Sequence, residues 1–425
     1  MTSPPKPERR ATGQKPLKPF NNGDIKVLLL EGINTTGVNI LKNAGYQVEA
    51  HPKALPVEVL KEKIKDVHVI GLRSKTQLTA DVLKEAKNLL VIGCFCIGTN
   101  QVDLAYAAEH GIAVFNSPFS NSRSVAELAI AEIVALSRQL GDRNNELHRG
   151  FWNKTSNGCR EIRGKTIGIV GYGHIGSQLS VLADAMGMRV IFFDTLQLMP
   201  LGTAQPVASL DDLLANADFV TLHVPETPET KNMIGEREIK IMKKGSYLIN
   251  LARGTLVDIP ALAAALKSGH LAGAAVDVFP VEPYANGPGF ESELVGAPNT
   301  ILTPHVGGST EEAQSSIGVE VGSALVRYVN NGTTLGAVNF PECDVRLPAD
   351  QKTVRVLNVH QNVPGVLKQI NKVLSEFNIE KQICDSKENI AYLMADLNVD
   401  SESDLIKINE LVSSMPENIR TRLLY

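Results

Sequence analysis

Three glycines and one acid give the first chemical signal in this chain of 425 residues. Gly171, Gly173 and Gly176 stand in the spacing G-x-G-x-x-G, directly after the apolar run Thr166–Val170. Asp194 closes the next apolar run, Val190–Phe193. A strand, a glycine turn, a helix and a second strand ending in a carboxylate are the order that a dinucleotide needs. The first glycine permits the tight turn, and the second lets the backbone approach a pyrophosphate. The third lets helix and strand pack closely, and the helix N-terminus faces the phosphates. Asp194 would accept hydrogen bonds from the adenosine ribose. It also favours NAD over NADP, because it would repel a 2′-phosphate and Thr195-Leu196 supply no arginine to hold one.

Three further segments each end a predicted strand, where such folds hold their ligands. They are Ile249–Gly254, Asp277–Pro283 and Leu302–Gly308, and they contribute Arg253, Glu282 and His305. This set suits hydride transfer between NAD and a 2-hydroxy acid. His305 would take the hydroxyl proton near neutral pH while the C2 hydride leaves for the nicotinamide. Glu282 would fix the histidine tautomer and stabilise the imidazolium. Arg253 would clamp the substrate carboxylate and polarise the carbonyl in the reverse direction.

These groups need a frame, and the apolar runs supply it. From Ile25, near-continuous apolar runs alternate with helical stretches: Ile25–Leu30, Val67–Leu72, Leu89–Gly93 and Ile112–Phe115. A second series runs through Thr166–Val170, Val190–Phe193, Phe219–Leu222, Tyr247–Asn250, Ala274–Asp277 and Thr300–Thr303. Such a pattern implies parallel sheets covered on both faces. After Phe340 the texture becomes βαββαβ: strands at Thr353–Val359, Ile379–Cys384, Ile390–Leu397 and Ile419–Leu424, with helical faces around Val366–Phe377 and Leu405–Val412. The expected fold class is therefore α/β, with two doubly wound parallel-sheet units (Rossmann- or flavodoxin-like) and a C-terminal ferredoxin-like unit.

Composition sets outer bounds. The chain is 43% hydrophobic and 21% charged with net charge −4, which suits a soluble globular protein and gives no global field toward nucleic acid or membrane. An anionic substrate must then be held by local arginines. Five scattered cysteines give no disulfide framework and suggest a reducing compartment. Cys94 and Cys96 have the wrong spacing for a redox pair and read as small buried residues. Residues 1–22 hold five prolines, five Lys/Arg and one Glu, the composition of a disordered tail. The prolines oppose an amphipathic transit helix, so a cytoplasmic protein is expected. No metal site is expected.

The marks Gly71–Ser74, Gly93–Asp103, Asn121–Glu127, Gly171–Gly176, Leu251–Thr255 and Pro304–Thr310 together resemble the D-isomer-specific 2-hydroxyacid dehydrogenases. The resemblance covers residues 24–425. It is greatest to those members that oxidise D-3-phosphoglycerate and carry a C-terminal ACT unit. It implies a substrate domain at 23–120 and 310–337, an NAD-binding domain at 121–309, a linker at 338–350 and an ACT domain at 351–425. It implies substrate contacts at Arg73, Ser74, Asn121 and Gln314. Around NAD it places His174 and Ile175 at the pyrophosphate, with Leu251, Ala252, Arg253, Asp277, His305, Val306, Gly307 and Gly308 on the nicotinamide side. Asp277 would hold the carboxamide. It also implies a homotetramer, paired through the nucleotide domains and again through the ACT units.

In the ACT unit, His360 and Asn362 match the family's serine-binding loop, so serine is the expected effector. The partner asparagine expected near the second strand is absent in this reading, and Glu380 stands there. The resemblance further implies that 2-oxoglutarate can be reduced. Two other readings stay open: a dehydrogenase of glycerate, lactate or 2-hydroxyglutarate, and a non-catalytic NAD-sensing corepressor or scaffold on the same fold.

Overall fold

The structure, a computed structural model, describes residues 21–283, 286–346, 353–399 and 401–425. The expected disordered tail falls outside these residues except for Asn21 and Asn22, and the end of the expected linker, 347–350, also lies outside them. The described chain divides into two compact units. Residues 119–316 form one, and the residues up to Pro118 and from Ile317 onward form the other.

The first unit holds a parallel sheet of β1 (Lys26–Leu29), β2 (Gln47–Ala50), β3 (Val69–Leu72), β4 (Val91–Cys94) and β5 (Ala113–Phe115), in the order β2-β1-β3-β4-β5. Every residue of β3, β4 and β5 is buried, as expected of strands covered on both faces. The edge strand β2 is almost wholly exposed and reads as no strand in sequence, because Gln47 and Glu49 break the apolar run.

The second unit holds β6 (Thr166–Val170), β7 (Arg189–Phe193), β8 (Gln205–Pro206), β9 (Phe219–Leu222), β10 (Tyr247–Asn250), β11 (Gly273–Val276) and β12 (Thr300–Leu302). All pair in parallel, in the order β12-β11-β10-β9-β6-β7-β8. The order reverses between β6 and β9, which makes that edge the ligand position of a doubly wound sheet. The long helix Ser122–Ser137 packs along helix His174–Ala185 and covers one face of this sheet with Val125, Ala126, Ala129 and Ile133.

The third sheet is antiparallel: β13 (Thr353–Gln361), β14 (Asn378–Lys387), β15 (Ile390–Asn398) and β16 (Asn418–Leu424), ordered β14-β15-β13-β16. Helices Val366–Leu374 and Glu402–Ser413 cover one face through Ile370, Leu374, Leu405 and Ile408. The other face packs against the rest of its unit. Leu357, Val359, Tyr392 and Met394 join the core of the first sheet and of helix Glu311–Asn331, through Val321, Leu325 and Tyr328.

Buried polar groups fix that docking. Arg355 and Asp396, 3% and 1% exposed, pair at 2.7 Å and 2.8 Å, and Arg355 Nη1 donates to the Asn331 carbonyl. Arg422 Nη2 donates to the Val329 carbonyl at 2.6 Å. Both arginines thus satisfy carbonyls of the last helical turn, which have no partner within the helix.

The expected linker differs for the same reason. Val338 N–H donates to the Val114 carbonyl, the Asn339 carboxamide accepts from Val114 N–H at 2.8 Å, and Phe340 is fully buried beside Tyr392. Asn339, Phe340, Pro341 and Cys343 are buried in this fold, and cutting the chain near Phe340 would bare an apolar face.

Candidate active site

The glycine fingerprint begins where β6 ends. Gly171 has φ +92°, and a Cβ there would lie 2.5 Å from the His223 carbonyl oxygen. At Gly176 a Cβ would come within 2.1 Å of the Gly171 oxygen, so only glycine lets the helix leave the strand so closely. Gly173 differs: a Cβ there would meet nothing within 4 Å, and the helix it precedes, His174–Ala185, has no side-chain cap. Open space and uncapped N–H groups at one helix start are what a pyrophosphate requires. His174 is exposed and stacks on Phe119 at 3.6 Å, while Ile175 is half-buried.

Asp194 stands at the end of β7. Its Oδ2 accepts from Tyr172 N–H at 2.8 Å and its Oδ1 from Leu196 N–H at 2.9 Å, so the carboxylate is oriented with lone pairs remaining for ribose hydroxyls. A cleft of about 720 Å³ opens beside it, lined by Phe192, Leu196, Leu198, Met199 and Pro206. These residues fit NAD. Wild type should use NAD far better than NADP, and Asp194→Ala should narrow the gap. The check is kcat/KM for each cofactor; a wild type that prefers NADP would reverse this reading of the strand end.

The residues expected to react, Arg253, Glu282 and His305, stand on the neighbouring strand ends. After β10, fully buried Asn250 folds the turn: its Nδ2 donates to the Arg253 carbonyl at 2.9 Å and its Oδ1 accepts from Ala252 N–H at 3.1 Å. Arg253 is half-buried, with Nη1 donating to the Ala252 carbonyl at 2.7 Å. Its charge acts on both Glu282 and His305. Leu251 and Ala252 are buried beside it.

Asp277, 1% exposed, is the hub of the loop that carries His305. Its carbonyl accepts from His305 N–H at 2.8 Å. Its Oδ1 accepts from Thr303 Oγ1 at 2.6 Å and Val306 N–H at 2.8 Å, and its Oδ2 from Gly307 N–H at 2.8 Å. His305 itself has φ +54°, a backbone conformation uncommon outside glycine, which these bonds stabilise.

His305 Nδ1 lies 2.9 Å from Glu282 Oε2 and 3.1 Å from Oε1. An ionised carboxylate only accepts, so the proton sits on Nδ1 and Nε2 presents a lone pair. The imidazole side chain is 50% exposed, open enough for substrate to reach it. The hydrogen bond that His305 donates to Glu282 raises the His305 pKa, against the opposing effect of burial. Burial pushes the Glu282 carboxyl up. Its bond to His305, the His305 charge and the Phe279 N–H outweigh that and hold it below the usual carboxylate range.

The base must be neutral to accept a proton, so the acid limb of oxidation follows the His305 pKa. Glu282→Gln removes the group that raises it. The acid limb of kcat/KM should therefore move to lower pH, with a moderate fall in kcat. A pH profile with an unmoved limb would show that Glu282 does not act on the histidine.

Asn121 and Gln314 both meet the next glycine. A Cβ at Gly308 would lie 2.3 Å from Asn121 Nδ2, and Gln314 Nε2 donates to the Gly308 carbonyl at 3.3 Å. Asn121 Oδ1 is buried without a hydrogen-bond partner, an acceptor held open beside the His305 loop. Arg73 and Ser74 belong to the other unit. They follow β3, beside the point where the first sheet reverses its order, and the Arg73 guanidinium makes no ion pair among the described residues.

The two residues expected to hold an effector, His360 and Asn362, are at the end of the first strand of the third sheet and in the loop that follows. His360 is buried, with Nδ1 2.8 Å from Asn358 Oδ1, and burial lowers its pKa. Asn362 Nδ2 donates to the Glu388 carbonyl at 3.1 Å. Glu380 is not beside them. It is the extra residue in an irregularity of β14 and accepts from Asn398 Nδ2 at 3.0 Å. His360 pairs with Ala391 and Asn398 with Thr353, so the two sites are roughly 20 Å apart along the sheet. The strand also begins at Asn378, exposed and two residues earlier, so an asparagine does stand at its start.

The sequence reading missed the bracing of the loop by Asp277 and the turn made by Asn250. An asparagine closing a strand before Arg253 was the available signal for that turn. It also missed Glu132, 3% exposed on helix Ser122–Ser137 with both carboxyl oxygens unpartnered. Burial and the charge of Asp277 push its pKa up to about 8, so it is protonated at neutral pH.

Comparison with known proteins agrees with this geometry. Residues 130–307 match the family model described as the NAD binding domain of D-isomer specific 2-hydroxyacid dehydrogenases. The chain is 60% identical to D-3-phosphoglycerate dehydrogenase 1 of Saccharomyces cerevisiae, over 97% of this chain and 90% of that one. It is 52% identical to D-3-phosphoglycerate dehydrogenase of Escherichia coli, over 94% and 98%. Its fold matches the NAD-complexed D-isomer specific 2-hydroxyacid dehydrogenase of Lactobacillus delbrueckii ssp. bulgaricus, with a TM-score of 0.65 at 27% identity, over 74% of this chain and all of that one. With Asp194 and the open Gly173 turn fitted to NAD, and His305 paired to Glu282, this chain is an NAD-dependent oxidoreductase and belongs to the D-3-phosphoglycerate dehydrogenases of the D-isomer-specific 2-hydroxyacid dehydrogenase family.

Proposed function

We propose that the chain oxidises D-3-phosphoglycerate to 3-phosphohydroxypyruvate, the first step of L-serine biosynthesis. The observation that carries the chemistry is the His305–Glu282 pair on a braced strand-end loop. His305 Nε2 accepts the C2 hydroxyl proton, while Glu282 keeps Nδ1 protonated and stabilises the imidazolium. Arg253 holds the carboxylate and polarises the developing carbonyl. NAD, when bound, supplies the acceptor for the C2 hydride. Arg73 and Ser74 bind the phosphate, and Asn121 and Gln314 contact the same substrate. A phosphorylated acid brings about three negative charges, which one arginine would not balance. Run in reverse, the same groups reduce 2-oxoglutarate. The test is NADH formation from D-3-phosphoglycerate beside D-lactate, glycerate and 2-hydroxyglutarate. Preference for an unphosphorylated acid would reassign the substrate, and no turnover would favour an NAD-sensing scaffold.

Regulation forms the finer part of the proposal. Serine binds at His360 and Asn362 where two third sheets pair along their exposed β14 edges. Antiparallel pairing of two copies would carry Asn378 and Glu380 of one toward the effector loop of the other. Serine inhibits only if it prefers the less active arrangement. The assembly is a cytoplasmic homotetramer that pairs again through its nucleotide units, where Phe151 and Trp152 are 70% and 80% exposed. No nucleic-acid or membrane partner is part of this proposal; among the described residues no helix is long and apolar enough to cross a membrane. Asn362→Ala should raise the inhibitory serine concentration by about tenfold at little cost to kcat, as loss of a ligand hydrogen bond in a polar site implies. A serine titration reads this directly; an intact chain indifferent to serine would remove the effector assignment.

A further inference from the structure

The first sheet reverses its strand order between β1 and β3, a ligand position in open parallel sheets. Two side chains with no role so far stand there. Glu31, just past β1, has φ +66°, a conformation that side-chain-bearing residues rarely adopt. Its backbone is tied down by Glu31 N–H to the Lys53 carbonyl and Gly32 N–H to the His51 carbonyl. Its carboxylate reaches across to the loop after β3. There Oε2 accepts from Lys75 N–H at 3.0 Å and Oε1 from Thr76 N–H at 2.7 Å. From the β4 side, Gln101, 6% exposed, donates from Nε2 to the Arg73 carbonyl at 2.7 Å.

Arg73 and Ser74 therefore lie between two braces, one on the N–H groups that follow them and one on the Arg73 carbonyl. A bare carboxylate beside a phosphate site would repel its ligand. Here both oxygens are directed at main-chain donors, so the charge holds the loop.

We propose that Glu31 and Gln101 are positioning residues for the substrate loop, fixing Arg73 and Ser74 to receive the phosphate of the substrate. The inference rests on the reading that Arg73 and Ser74 bind the phosphorylated acid. Without the braces the loop populates more conformers, only a fraction of them competent to bind. Apparent affinity falls by that fraction, and the loss appears in KM.

The test is steady-state kinetics of the full chain carrying Glu31→Gln, Gln101→Leu, Arg73→Ala and the pair Glu31→Gln/Arg73→Ala. Glutamine keeps the shape but turns an NH₂ toward one of the two N–H groups. Glu31→Gln should raise KM for D-3-phosphoglycerate about tenfold, with kcat and KM for NAD held within about twofold. Added to Arg73→Ala it should contribute less than about twofold, because the loop has lost the guanidinium it places.

A normal substrate KM in Glu31→Gln, with a raised one in Arg73→Ala, would overturn the inference and leave the substrate reading intact. A normal KM in Arg73→Ala would overturn that reading and the inference with it. Equal losses in kcat and in KM for NAD would mark Glu31 as structural only and overturn it as well. If Glu31→Gln does not fold, Gln101→Leu carries the same test: it should show the same rise in substrate KM alone, and a normal value would overturn the proposal.

Discussion

Replacing His305 by alanine is expected to lower kcat by ~10²–10⁴ while NAD affinity stays nearly unchanged. Alanine removes the lone pair proposed to take the hydroxyl proton and leaves the cofactor-binding features in place. Asp194, the open Gly173 turn and the helix start at His174 lie on other strand ends. The measurement is kcat for substrate oxidation beside a fluorescence titration of NAD. Near-normal turnover would remove His305 from the chemistry. A loss of NAD affinity equal to the loss of kcat would show that the site had collapsed rather than lost its base. Alanine must also accept φ +54°, so a modest loss of stability is expected alongside.

The second large effect is expected at Asp277. Asp277→Ala strands the Val306 and Gly307 N–H groups and the Thr303 hydroxyl, which together fix the His305 loop. Each buried donor left unpaired costs about 1–3 kcal/mol, so stability should fall. A loop displaced by even about 1 Å misplaces the base, and kcat should fall by ~10². Asp277→Asn retains one acceptor oxygen but turns an NH₂ toward a donor, and should lie between. If Asp277 acted mainly on the nicotinamide carboxamide, NAD affinity would fall and kcat at saturating NAD would survive. The two parameters, with a thermal melt, separate the roles.

Much of this molecule is legible in its sequence alone. The glycine spacing, the acid at the end of the next strand and the apolar runs between helices depend on local rules. A tight turn needs glycine, and a strand buried on both faces reads as an unbroken apolar run. The same rules placed Arg253, Glu282 and His305 at strand ends, and the structure puts Glu282 on His305.

Other features depended on partners far away in sequence or on backbone groups that no residue name reveals. The edge strand β2 lacks a buried face, so its pattern is silent. Asp277 works through the N–H groups of residues 306 and 307, which any residue but proline would supply equally. Glu380 was placed near the second strand, and the register shows which end of the sheet that is: Glu380 lies by Asn398, far along from His360. The third sheet read as a separate unit because helices covering one face sufficed to explain its pattern. Its second buried face became visible only when Arg422 met the carbonyls of Tyr328 and Val329, 94 and 93 residues earlier. The sequence by itself thus determined which chemistry is present and on which strand ends. The tertiary structure decided which oxygens face which donors, because long-range register and main-chain hydrogen bonds are set by packing rather than by residue order.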